Sequence, residues 1–140
     1  MAADPLVVID TNILFSALLA ADGRIHHTLF RYGTRFRICE TALVELFEHK
    51  ERILRATRLT AEEVTGMYHR VLRRLEIFPE ELIPAEAWGK AVSLCSGIDG
   101  DDVPHVALTL ALEGLLWTGD GKLRRGLEAK GFTSFFRPPA

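Results

Sequence analysis

Seven aspartates occur in the 140-residue chain, and five of them fall in three places: Asp10, the group Asp99, Asp101 and Asp102, and Asp120. The twelve glutamates, by contrast, are mostly spread through helical stretches. Carboxylates gathered into one small volume have a definite chemistry. At close range like charges raise one another's pKa, and a divalent cation removes that penalty by taking the oxygens as ligands. A set rich in carboxylates, without cysteine and with few histidines nearby, suits magnesium or manganese better than zinc. For each residue alone there is also a structural reading, because Asp10, Asp101 and Asp120 all stand where a helix N-cap belongs and aspartate is a favoured cap.

The apolar periodicity supplies the elements that must hold these groups. Residues 6–9 are a β-branched apolar run followed at once by Asp10, Thr11 and Asn12 and a helical stretch over 13–21, which reads as a buried strand entering a helix. A second helix is expected over 25–32, a short strand over 36–39 and a long helix over 41–56. Thr60 and Glu63 have the spacing of a capping box that starts a helix running to about residue 75. Residues 77–83 contain Pro79 and make at best an edge strand, and Pro84 can open a helix to residue 95. Asp101 or Asp102 opens a largely apolar helix to residue 113, with Pro104 tolerated in its first turn. A buried strand over 115–118, Asp120, a basic helix to residue 130 and a last strand over 133–136 complete the series. Strand and helix alternate, so a single α/β domain over 1–140 is expected, ordered from about 6 to 136, with a parallel sheet flanked by helices on both faces. The order of the strands stays open. In such sheets the site lies at the carboxyl ends of the strands, where Asp10 and Asp120 both stand.

Two helices carry further polar groups. Asp102, His105, Thr109 and Glu113 make a polar stripe on an otherwise apolar helix, so one face meets water or a cleft, and a surface stripe is the simpler reading. In the helix over 41–56 the core face is Leu43, Leu46, Phe47, Ile53 and Leu54. Spacing alone leaves Glu45 ambiguous. Glu45 and His49 are four apart, as a metal pair would be, but ordinary helix ion pairs use the same spacing. His49 and His105 are read as solvent or packing residues, and Cys39 and Cys95 as small core residues.

Composition excludes more than it assigns. At 48% hydrophobic and 26% charged the chain is neither disordered nor collagen-like. No apolar run reaches the length of a membrane span, and residues 1–10 lack the pattern of a secretory signal, so the cytoplasm is the default expectation. The net charge of −2 advertises no global field for nucleic acid. Even so, 13 of the 17 basic residues are arginine, whose planar fork matches phosphate oxygens two at a time.

Four segments together carry a resemblance: Leu6-Val-Val-Ile-Asp10-Thr-Asn12; Glu45 in the helix after Cys39-Glu-Thr-Ala-Leu-Val; Asp101-Asp102-Val-Pro-His-Val-Ala-Leu-Thr-Leu-Ala111; and Leu116-Trp-Thr118-Gly-Asp120. In this order and spacing they resemble the PIN-domain family over nearly the whole chain. The resemblance implies a metal-dependent ribonuclease, of a family in which many members are toxins of bacterial toxin–antitoxin pairs. Carried over by motif, Asp10, Glu45, Asp102 and Asp120 resemble its acidic metal-binding and catalytic quartet, with Asn12 and Thr118 as polar supports. Doubling of the acid at Asp101-Asp102 departs from the pattern; Asp102 fits better through its spacing to Val106-Ala107, and Asp101 stays a supporting candidate.

The chemistry implied is phosphodiester hydrolysis, in which Mg2+ or Mn2+ lowers the pKa of a water and polarises the phosphate for in-line attack. An acidic site does not attract RNA, so Arg52, Arg55 and Arg58, or Lys122, Arg124 and Arg125, are the candidate phosphate contacts. The RNA target, an antitoxin partner and a homodimer are left open by the sequence. Two other readings compete. One is a catalytically silent module that binds RNA or protein. The other is a phosphatase-type hydrolase with an aspartate nucleophile, but that chemistry needs a second aspartate two positions after Asp10, where Asn12 stands.

Overall fold

The computed structural model describes residues 5–19, 23–31, 33, 36–98 and 100–138. Its elements run β1 (Val7–Ile9), α1 (Thr11–Leu18), α2 (Gly23–Arg31), β2 (Phe36–Cys39), α3 (Glu40–Glu48), α4 (Lys50–Ala56), α5 (Ala61–Leu72), β3 (Leu75–Phe78), α6 (Ala85–Cys95), α7 (Val103–Leu112), β4 (Leu115–Trp117) and α8 (Gly121–Ala129). Short 3-10 turns at Glu80–Leu82 and Gly100–Asp102 precede α6 and α7. The expected helix over 13–21 and the one over 25–32 run partly outside the described residues, and Asp99 lies outside them too.

Four strands form one all-parallel sheet in the order β3-β2-β1-β4. All three residues of β1 are fully buried although successive side chains point to opposite faces, so helices cover both faces of the sheet. On one side α7 lies against β1, β2 and β4 with α6 behind it, while α1 packs against α2, α3 and α5, and α3 lies against β2 and β3. Aromatic rings close the core at the β4 side, with Trp117 5.4 Å from Phe36 and 5.3 Å from Phe136 between ring centres.

Register decides where the site forms. β1 pairs with β4 through Val7↔Leu115, Val8↔Leu116 and Ile9↔Trp117, and the Asp10 amide continues the ladder by donating to the Trp117 carbonyl at 3.1 Å. Because the strands are parallel, Asp10 and Thr118 leave the same edge of the sheet side by side, and Cys39 leads into α3 at that edge. Entry into β4 is tight. Glu113 takes a left-handed backbone (φ 51°) to end α7, and a Cβ on Gly114 would sit 2.5 Å from the Leu6 carbonyl oxygen, which accepts the Leu115 amide at 2.8 Å.

Four expectations need correction, the first being Phe47, expected on the core face of the helix over 41–56 but 54% exposed, with its ring stacked on Tyr68. The helix over 41–56 is two helices, bent at His49, whose ring packs edge-on against Phe15 of α1 at 5.7 Å. The edge strand spans Leu75–Phe78 rather than 77–83, because Pro79 has no amide hydrogen for the ladder, and α5 accordingly ends at Leu72. The last strand over 133–136 is a single parallel bridge, Leu116↔Phe135, flanked by hydrogen bonds from Leu116 to Ser134 and from Phe136 to Leu116. The capping box at Thr60 and Glu63 is present in both directions, at 3.0 and 3.1 Å. Both cysteines are buried, and neither is in a disulfide. No helix among the described residues is long and apolar enough to cross a membrane.

Candidate active site

Asp10 follows β1 and is 2% exposed. Its Oδ1 accepts the Ile13 amide at 3.0 Å and so caps α1, while Oδ2 is buried with no hydrogen-bond partner among the described residues. Capping and a functional role therefore use different oxygens of one carboxylate. Burial pushes the Asp10 carboxyl above its ordinary value, and the charge of Asp120 adds to that; the nearby Thr118 hydroxyl and the Ile13 amide oppose it.

Asp120 takes the matching position after β4. Its Oδ1 accepts the amides of Lys122 at 2.9 Å and Leu123 at 3.1 Å, capping α8, and its own amide donates to the Thr118 hydroxyl at 3.1 Å. Thr118 is itself buried.

Glu45 comes from the second turn of α3. Burial raises its pKa and the charge of Asp101 raises it further, while a hydrogen bond from the Thr11 hydroxyl and the neighbouring His49 pull it down. Asp102 occupies the N-cap position of α7 and makes no capping bond with its side chain. Asp101 is exposed beside it.

Asp10, Thr11, Asn12, Glu45, Asp101, Asp102, His105 and Asp120 line one cleft of about 130 Å³. All four acids of the quartet therefore face a common space, together with Asn12 and Asp101. Among the described residues no three His, Cys, Asp or Glu side chains are already drawn into a metal-holding group. The donor chemistry nevertheless fits a hard divalent cation: oxygen ligands only, one buried carboxylate oxygen with no partner, and two carboxyl groups raised partly by a neighbouring carboxylate. The pairing of Glu45 with His49 is not part of this arrangement, since His49 packs against Phe15 and borders a small apolar cavity with Leu19, Arg52, Ile53 and Ala56.

The basic candidates divide by position. Arg125 arcs back over the start of α8, where a Cβ on Gly121 would lie 3.0 Å from its guanidinium, next to Asp120. Lys122 is exposed on the same first turn. Arg124 instead lies over the Phe135 ring at 5.0 Å. Arg52, Arg55 and Arg58 are exposed on α4 and the segment after it, and none of them lines the acidic cleft.

Two lining residues escaped the sequence reading, Thr11 and His105. The polar stripe on α7 is not a surface stripe at its centre: His105 is 2% exposed and Thr109 1% exposed, and the Thr109 hydroxyl donates to the His105 carbonyl at 2.8 Å. The usable signal was helical spacing, because His105 follows Asp102 by three residues and therefore shares its face.

Comparison with known proteins places this geometry in context. The family described as PIN domain matches residues 8–134. Among solved structures, one chain is similar to VapBC2 from Rickettsia felis bound to a DNA fragment from its promoter, with a TM-score of 0.66, 18% identity, and coverage of 86% of this chain and 92% of that one. Another is similar to a toxin–antitoxin complex from Klebsiella pneumoniae, with a TM-score of 0.64, 16% identity, and coverage of 95% and 98%. No curated protein matches. With the match spanning both aspartate-bearing strand ends, Glu45 and the start of α7, the chain belongs to the PIN-domain family.

Proposed function

We propose that this protein is a toxin-type ribonuclease that hydrolyses RNA phosphodiester bonds with Mg2+ or Mn2+ held by Asp10, Glu45, Asp102 and Asp120. The observation that carries this reading is the buried Asp10 carboxylate, with Oδ2 unpartnered in a cleft lined by three further acids of the quartet. A divalent ion bound there supplies an activated water and neutralises charge on the scissile phosphate. The chain's own residues do the rest. The Ile13 amide holds Asp10 in one orientation, and the Lys122 and Leu123 amides do the same for Asp120. Asn12, exposed at the rim of the cleft, offers an uncharged donor and acceptor to the RNA. Arg125, whose guanidinium lies over Gly121, and Lys122 on the first turn of α8 compensate the repulsion between an acidic cleft and a polyanion. The two solved structures described above are toxin–antitoxin assemblies, which supports an antitoxin protein as the partner of this chain.

The test is cleavage of one RNA panel by matched, highly purified preparations of wild type and Asp10→Asn, with and without manganese. Cleavage confined to the wild type with manganese is expected. Equal cleavage by Asp10→Asn would show a contaminant or a different active site, and RNA binding without cleavage by either would favour the silent binding module.

A further inference from the structure

One more length of chain lies against the sheet beyond β4. Residues 134–136 run parallel to it: the Leu116 amide donates to the Ser134 carbonyl at 2.8 Å, and the Phe136 amide donates to the Leu116 carbonyl at 2.9 Å. Side chains hold the segment from both sides. Phe136 is buried with its ring 5.3 Å from that of Trp117, and Phe135 lies under the Arg124 guanidinium at 5.0 Å.

A parallel neighbour leaves the sheet at the same edge as β4. With Phe135 paired to Leu116, one step along each chain sets Phe136 level with Trp117, and a second sets Arg137 level with Thr118. Pro138 disfavours helical backbone at the residue before it, so the chain keeps this direction through Arg137. Arg137 is exposed there, two strand spacings or about 10 Å from the line of β1, on the edge where Asp10 and Asp120 emerge.

The two flanks of the cleft differ in charge. β2 and β4 lie on opposite sides of β1. On the β2 flank Glu40, Glu48 and Glu80 line an open groove with Thr41, Val44 and Glu45, the last of which also lines the acidic cleft. A polyanion is repelled from that side. On the β4 flank stand Lys122 and Arg125 at the start of α8, and Arg137 beside the end of β4.

We propose that Arg137 is a phosphate contact for the substrate, so that RNA enters the cleft over the β4 flank, with a phosphate next to the scissile one held between the Arg137 guanidinium and the start of α8. The assignment rests on reading the protein as an RNA hydrolase. It gives the segment after α8 a function that its packing alone does not require, because Phe135 and Phe136 dock the segment and Arg137 is the first residue beyond them.

Fluorescence anisotropy with a fluorescein-labelled, mixed-sequence single-stranded RNA tests it, at a series of salt concentrations in the Asp10→Asn background, where the RNA is not consumed. Each phosphate neutralised on a single strand contributes about −0.7 to the logarithmic salt slope, so Arg137→Ala should reduce the slope by about 0.7. Affinity should fall by about two- to fivefold, the worth of one exposed ion pair. Arg137→Lys should keep the slope, since counterion release follows charge. Arg73→Ala is the control: Arg73 is exposed two residues before β3, at the opposite edge of the sheet, and its loss should change neither slope nor affinity. In the otherwise wild-type protein with manganese, Arg137→Ala should raise KM by about two- to fivefold and spare kcat. A slope unchanged in Arg137→Ala, or reduced as much in Arg73→Ala, would overturn the contact. Failure of the wild type to cleave would overturn the hydrolase reading alone, because the slope is read in a protein that does not cut; failure of every variant to bind RNA would overturn both.

Discussion

Lowering the pH from 7 to 5 without metal should cost the wild-type protein about 2 kcal/mol more stability than it costs His105→Gln. In the folded protein burial brings the His105 pKa down to about 4, against 6.5 for the free side chain, with the charge of Glu80 pulling weakly the other way. The unfolded chain therefore takes up this proton first as the solution is acidified. The contribution is fully present above about pH 6.5, is lost progressively toward pH 4, and would reach about 3 kcal/mol over the whole window. Asp10 and Glu45 act with the opposite sign. Their folded pKa values are raised, so the folded protein binds those protons more readily and regains stability as the pH falls through them. The total pH profile mixes the two effects, and the comparison with a variant lacking the imidazole separates them. Urea unfolding at half-unit steps from pH 7 to 4.5 in a metal chelator gives the two curves. Their vertical separation should change by up to about 1.4 kcal/mol per pH unit between pH 6 and 4.5. Parallel curves would refute the argument, for they would mean that the ring protonates as easily in the folded protein as in the unfolded chain.

Manganese at about a hundred times its dissociation constant should stabilise the wild type by about 2.7 kcal/mol and raise Tm by about 10 °C, with no rise in Asp10→Asn; an unchanged wild-type Tm in calorimetry would count against the metal site. Gly114→Ala should destabilise by about 1–3 kcal/mol in urea melts, because the new methyl meets the Leu6 carbonyl that pairs with Leu115. Gly126→Ala, which meets only the flexible end of Ile98, should be nearly neutral, the helical gain of about 1 kcal/mol offsetting the crowding. RNA affinity should lose about 0.7 from its logarithmic salt slope in Arg125→Ala and keep the slope in Arg124→Ala, whose guanidinium lies on Phe135; equal slopes in filter binding would remove Arg125 from the RNA contacts.

The elements that carry the acids were legible because each announces itself locally. The run before Asp10 is too short and too β-branched for a helix, and Phe36–Cys39 was read with its observed bounds. A parallel sheet then requires that Asp10 and Asp120 emerge at one edge, without any knowledge of strand order. What escaped depends on partners far away in sequence. Helical period shows that His105 shares a face with Asp102, but only the approach of Thr11 and Cys39 decides that this face is buried rather than wet. The bend at His49 has the same origin, since nothing between residues 41 and 56 breaks a helix and the ring of Phe15 comes from α1. Pro79 was read as weakening a strand over 77–83 rather than ending one, which displaced β3 toward higher numbers.

Strand order has a consequence for when the protein becomes capable of chemistry. β1 is made first and lies inside the sheet, while its neighbour β4 is made after every other strand. Asp120 and Thr118 arrive beside Asp10 only when that last strand docks, closing a loop that contains most of the chain, and contacts so distant in sequence form late in folding. A growing polypeptide with β1, β2, β3 and α7 in place still lacks Asp120, one acid of the cleft, and Thr118 beside it. If the cleft cuts RNA, the message being translated lies close to an incomplete blade throughout synthesis, and topology itself acts as the sheath until the final strand is home.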